Sequence, residues 1–180
     1  LTLGALVGAL GAAALVYLIS MAQGGMTPLR LVLSGVVLSA AFSALASFLV
    51  FRSSDPRAAQ SVLYWMLGSV AGATWDSLWV AAIVTALSAV LMIAFSGWLD
   101  ALAAGTDVAR SLGIPDTRVR KALFVGNSVL VGVLVAVSGG IGFVGLVIPH
   151  MSRLLVGASH RSMVPVATAI GSLFLLWVDV

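Results

Sequence analysis

GGIGFVGLVIPHMSRLL, residues 139–155, decides how this chain is folded. The uncharged run leading into it starts at Ala122. A single helix over 122–153 would be about 48 Å long, against an apolar bilayer core of about 30 Å. Gly139-Gly140 is the natural place for a break. Beyond it the chain either stays outside as a surface loop or threads back through the apolar layer.

That choice matters because the composition requires a membrane. Of 180 residues, 61% are apolar and 8% charged, whereas soluble domains are about a quarter charged. Fifteen formal charges cannot cover a water-facing surface. With no cysteine, disulfides and thiolate metal sites are excluded. The net charge of +3 reports membrane orientation, since no basic run with interleaved aromatics suggests nucleic acid. The chain starts and stops inside apolar segments without a charged leader, so it reads as a piece of a longer protein.

Uncharged stretches cover 1–29, 31–51, 58–75, 77–99, 122–149 and 162–178. They predict spans at 1–20, 29–51, 76–97, 120–139 and 163–180. Residues 61–73, punctuated by Gly68 and Gly72 and flanked by Tyr64, Trp65, Trp75 and Trp79, predict an interfacial half-helix. Thr27 before Pro28 marks one helix start, and Ser162 marks another in the same way.

Charge sidedness then bears on the opening stretch. If 141–157 stays on the far face, five basic residues (Arg30, Arg110, Arg118, Arg120, Lys121) oppose four (Arg52, Arg57, Arg153, Arg161). If it re-crosses, the split is seven against two, which the positive-inside rule prefers. Residues 141–148, extended, would cover about 26 Å, with a short helix opened by Pro149 completing the crossing. Irregular backbone at that depth survives only when sheltered by protein. The surface loop remains the alternative.

Several residues are candidates for chemistry. Gly35, Ser39, Ser43 and Ser47 recur every four residues, as a helix–helix seam or a conduit lining. His150 and Arg153 lie three apart, followed by His160 and Arg161. Two histidines without a carboxylate pair make no metal site. GxSxG, HExxH and glutamate are all absent, and Ser152 beside His150 lacks a third triad member. His150 is expected to satisfy backbone groups near the break, with Arg153 and Arg161 anchoring the inner interface. Asp179 is either an intramembrane functional acid or an ordinary interfacial one. The loop 98–121 reads as helix, turn, helix. Thr106 or Asp107 caps a short helix ending at Leu112, and Gly113 terminates it in a left-handed conformation. Val108, Leu112 and Ile114 would present an apolar knob to a soluble partner.

In combination these motifs resemble the permease subunit family of ATP-driven importers for iron-siderophores, haem and cobalamin. The resemblance rests on Gly142-Phe143-Val144-Gly145-Leu146, Pro149-His150, Arg153, His160-Arg161 and Asp179. It extends to LVLSGVVLSAAFSAL (31–45), YWMLGSVAGATW (64–75) and LAAGTDVARSLGIP (102–115). It implies an all-α polytopic transmembrane bundle, residues 1–180 forming one permease domain equivalent to spans four to nine of ten. Gly139, Gly140, Gly142, Gly145, Pro149, His150 and Arg153 would form a broken, glycine-rich span. Residues 98–119 would be cytoplasmic coupling helices docking on an ATPase through Gly105, Thr106, Asp107, Ala109, Leu112 and Gly113. Gly35, Ser39, Ser43 and Ser47 would border a conduit on a two-fold axis, gated by loop 22–28. Implied partners are an ABC ATPase subunit, a periplasmic or lipid-anchored substrate-binding protein, a second permease subunit (identical or related) and membrane lipids. No cofactor is implied, and the location would be the bacterial inner membrane. Two positions depart from the family pattern: Thr106 replaces the usual glutamate and Ser159 the usual aspartate. The rival class is a secondary transporter with discontinuous helices, which would need intramembrane acids that the spans almost lack.

Overall fold

The computed structural model describes residues 2–22, 24, 27–70 and 72–178, all α-helix and connecting turns. Among these residues, five helices are long and apolar enough to cross a membrane: Gly4–Ala22, Leu29–Arg52, Trp75–Ala94, Asp116–Ser138 and His160–Val178. In chain order the elements are α1 (Thr2–Ala22), α2 (Pro28–Arg52), α3 (Pro56–Leu67), α4 (Trp75–Ala94), α5 (Ser96–Ala104), α6 (Thr106–Ser111), α7 (Asp116–Ser138), α8 (Val144–Val156) and α9 (His160–Val178). The chain is thus a polytopic membrane helix bundle.

Local chemistry explains the boundaries. The Thr27 hydroxyl accepts from Arg30 N–H at 3.4 Å, starting α2 as expected. The Asp55 carboxylate accepts from Arg57 N–H at 2.9 Å, so α3 begins at Pro56. Gly68, at φ 70°, ends it. The interfacial helix therefore starts five residues and ends six residues earlier than 61–73, because the Asp-Pro cap outweighs the glycine spacing. At α4, the Ser77 hydroxyl accepts from Thr74 N–H at 3.1 Å.

Two expected helix starts are displaced. Ser162 caps nothing. Its hydroxyl donates to the Ser159 carbonyl at 3.2 Å, and α9 already begins at His160. Pro149 does not open a helix but lies inside α8. The Phe143 carbonyl accepts from Leu146 and Val147 N–H groups, each at 3.0 Å, and so starts the helix well before the proline. The extended stretch expected over 141–148 shrinks to the residues before Val144.

Packing is sparse, as befits helices bathed in lipid, where close van der Waals fit replaces the hydrophobic drive. The tightest seam joins α1 and α7. The Tyr17 and Phe124 rings lie 6.0 Å apart, and two turns along each helix Gly132 faces Ala9. A Cβ on Gly132 would lie 3.1 Å from Ala9 Cβ and 3.2 Å from Leu6 Cδ1. The pairing of 17 with 124 and 9 with 132 makes the two helices antiparallel. Helix α9 packs against α8, α4 and α5.

Candidate functional site

The loop between α4 and α7 folds into a small body with its own core. Ala101, Ala109 and Ile114 are buried together, with Leu102 and Val119 packed around them. Gly105, at φ 129°, turns the chain from α5 into α6. At the other end of α6, Gly113 N–H donates to the Arg110 carbonyl at 2.9 Å and Ile114 N–H to the Ala109 carbonyl at 3.0 Å. Gly113 sits at φ 73°. This is the left-handed helix stop expected from the sequence, with Ile114 folded back onto Ala109.

Other details differ from expectation. Gly105 occupies the cap position, and neither Thr106 nor Asp107 caps α6. The Thr106 hydroxyl instead accepts from Arg120 at 3.3 Å, which ties α6 to α7. Ile114 is interior, not part of the exposed knob. Val108 and Leu112 do point outward, Leu112 at 65% exposure, beside an exposed Asp107 and Gly113. Arg110 pairs with Asp116 at 3.3 Å and steadies the turn into α7.

Asp100, which no motif or spacing marked out, joins this body to α9. Its carboxylate accepts from the His160 backbone N–H at 2.9 Å, from His160 Nδ1, and from the Ser159 hydroxyl at 3.3 Å. An ionised carboxylate only accepts, so Nδ1 is the protonated ring nitrogen. The backbone hydrogen bond chiefly, and then the imidazole one, hold the Asp100 carboxyl below its usual range.

The opening stretch is built from glycine contacts at one end only. Gly139 is buried at φ 74°, and any Cβ there would run into the Trp65 carbonyl oxygen and lie 3.1 Å from Gly68 Cα. A Cβ on Gly68 would be 2.7 Å from the Gly140 carbonyl oxygen. Ser69 N–H donates to the Ser138 carbonyl at 2.8 Å, so the ends of α3 and α7 meet backbone to backbone. Gly142 and Gly145 have open space where a Cβ would go. Among the described residues, Phe143, at φ 63°, is the non-glycine residue held in the left-handed region. Ile148 and Ser152 form the buried face of α8, and the Ser152 hydroxyl donates to the Ile148 carbonyl at 2.8 Å. His150 lies about 200° around the helix from Ile148 and is exposed, as is Arg153. The expectation that His150 satisfies backbone groups is not met, and Ser152 and His150 form no pair.

On α2, Ser39, Ser43 and Ser47 are exposed and Gly35 half-buried. Among the described helices the stripe faces none closely: a Cβ on Gly35 would meet nothing within 4 Å. The buried hydroxyl on this helix is Ser34, one residue earlier, which has no hydrogen-bond partner. Asp179 lies outside the described residues, as do parts of the 22–28 loop.

The chain belongs to the FecCD transport family, which it matches over residues 1–180. It is 36% identical over 169 residues to the molybdate import system permease protein MolB of Haemophilus influenzae, covering 94% of this chain and 50% of that protein. It is 35% identical over 175 residues to the cobalamin import system permease protein BtuC of Halobacterium salinarum, covering 97% and 47%. With the ferric citrate import system permease protein YfmD of Bacillus subtilis it shares 33% over 176 residues, covering 98% and 52%. A solved structure of a metal-chelate type ABC transporter in an inward-facing conformation superposes with a TM-score of 0.83 at 34% identity, covering 99% of this chain and 61% of that one. The chain spans about half the length of the curated relatives it matches.

Proposed function

We propose that this chain is the central part of a permease subunit of an ATP-driven importer for metal chelates, such as iron-siderophores, haem or cobalamin, in a bacterial inner membrane. The observation that carries the reading is the superposition of 99% of the chain on the inward-facing metal-chelate transporter. Relatives of similar identity are named for molybdate, cobalamin and ferric citrate. The shared frame therefore sets the transport mechanism, and cargo choice rests with other surfaces.

The knob at 98–119 is the docking element for an ABC ATPase. Its own core supports this role: the fold spends buried apolar residues to hold Val108, Leu112 and Gly113 outward. ATP-driven closure of the partner would displace the knob and rock the helices between inward- and outward-facing arrangements. Small and hydroxyl residues along the open α2 face, Gly35 to Ser47, suit a wide, weakly binding conduit completed by a second permease subunit. A substrate-binding protein would deliver cargo from the opposite side.

The segment 139–157 is a broken crossing. Gly140 N–H reaches the Trp65 carbonyl at the end where α3 meets α7, whereas His160 reaches Asp100 at the knob end. The chain between them thus travels from one end of the bundle to the other. About five non-helical residues and about thirteen helical ones can cover some 35 Å, enough for a core of about 30 Å. This route returns Arg153 and Arg161 to the side of Arg110 and Lys121.

Purification of the full-length chain from its own cells tests the reading. An ABC ATPase should accompany it, and uptake of a metal chelate into proteoliposomes should require ATP. Uptake driven by an ion gradient without nucleotide would refute it and favour a secondary transporter.

A further inference from the structure

Helix α9 receives its N-terminal cap from another part of the chain. Asp100, on α5, accepts from the His160 backbone N–H at 2.9 Å and from the His160 imidazole with one oxygen, and from the Ser159 hydroxyl at 3.3 Å with the other. The residues are 60 apart in sequence. The next residue, Ala101, is in the buried core of the knob. The acceptors' partners belong to the three-residue turn, 157–159, and the first residue of α9, so Asp100 grips the joint between α8 and α9. Among the described residues, the side-chain hydrogen bonds from the knob to α9 all run through Asp100. The side-chain ties from α6 to α7 are the Arg120–Thr106 bond at 3.3 Å and the two-pronged Arg110–Asp116 pair at 3.3 and 3.4 Å, which holds the turn just before α7. Charged acceptors make the stronger hydrogen bonds.

A displacement of the knob must therefore either break three bonds at Asp100 or carry the α8–α9 turn with it. We propose that Asp100 is a positioning residue that makes α5–α6 and the α8–α9 turn move as one body, so that a stroke on the knob is delivered to α8 and α9. This rests on the importer reading above, since it supposes a partner that drives the knob.

The test uses the full-length permease with its ATPase in proteoliposomes, measuring uptake per ATP hydrolysed. Asp100→Ala should keep nucleotide hydrolysis while uptake per ATP falls about tenfold, within the usual range for coupling between sites. Asp100→Asn, which keeps an acceptor for the backbone N–H, should fall less. A second variant pairs Asp100→Cys with Ser159→Cys, in a background free of other cysteines. Mild oxidation should cross-link the pair and restore uptake per ATP to near the parent level, and reduction should abolish it again. A structural defect alone would not switch with thiol reductant. Unchanged uptake per ATP in Asp100→Ala would overturn the inference, as would failure to cross-link or loss of uptake on cross-linking. If the unmodified chain transports without any ATPase, the importer reading itself falls. If it couples normally and the variants do too, only this inference falls.

Discussion

Replacing Gly139 with alanine should unseat the junction of α3 and α7. Two costs are visible. The backbone at φ 74° disfavours an L-residue by about 1–2 kcal/mol. The new methyl would also overlap the Trp65 carbonyl oxygen and press on Gly68 Cα at 3.1 Å. Both are backbone atoms that cannot rotate aside, so the helix ends must part. Overpacking of this kind costs about 1–3 kcal/mol. Parting would also strain the Ser69–Ser138 hydrogen bond, now 2.8 Å, worth about 1 kcal/mol. These terms overlap, and about 3–5 kcal/mol is expected in total. Gly142→Ala is the control: its Cβ meets nothing within 4 Å and its φ is not positive, so it should stay within about 0.5 kcal/mol. The assay is unfolding of the full-length protein in mixed micelles by rising SDS, followed by tryptophan fluorescence, with Trp65 and Trp75 nearby reporters. Gly68→Ala should resemble Gly139→Ala, and the double variant should be less than additive. Equal midpoint shifts for Gly139→Ala and Gly142→Ala would refute the junction.

Other outcomes follow from single observations. Gly113→Ala, with open space at its Cβ but φ 73°, should lose about 1 kcal/mol of stability; Gly113→Trp should additionally uncouple ATP hydrolysis from uptake, and unchanged coupling would count against docking there. Asp100 stabilises the fold while ionised, and its folded pKa lies below the ordinary 3.8. Its contribution is therefore present above that value and lost as pH falls through the lower folded one. The stability gap between parent and Asp100→Asn should hold at neutral pH and close below about pH 4, readable from acid unfolding curves. Ser159→Cys should resist an impermeant thiol reagent applied outside intact cells, while Phe143→Cys should react; the reverse pattern would place α8 on the wrong path.

The helices and their membrane class were legible in the sequence because lipid demands long uncharged runs, and few other patterns produce them. Thr27 and Gly113 were legible for a local reason: a cap hydroxyl before proline and a glycine stop act within a few residues. Asp100 was not legible, because its partners lie 60 residues away and nothing in WLDAL marks its aspartate as a tertiary cap. Pro149 misled for the opposite reason. Proline favours a first helical turn, yet the left-handed Phe143 had already started the helix upstream. Of the glycines at the break, only Gly139 shows a need for glycine by φ and contact together. Spacing alone could not separate it from Gly142 and Gly145.

Among the described residues, few apolar side chains are buried: Ala101, Ala109, Ile114, Ile148, Met163 and Val164. Three of these form the knob and three lie along α8 and α9. The long helices themselves keep most large residues exposed, Leu29 and Val37 among them, facing lipid or further protein. Apolar burial therefore cannot be what fixes the helices in lipid, since leucine gains nothing there by leaving hydrocarbon. What remains are a few close backbone approaches, Gly132 on Ala9 and Gly139 on Trp65, and a few charge-assisted ties at the knob. A bundle held this way can slide or rock at modest cost wherever no such contact lies. Its stiff points are then the places where an applied force is transmitted. The knob core and the α8–α9 pair each hold buried side chains, and Asp100 is the side chain that bonds one to the other.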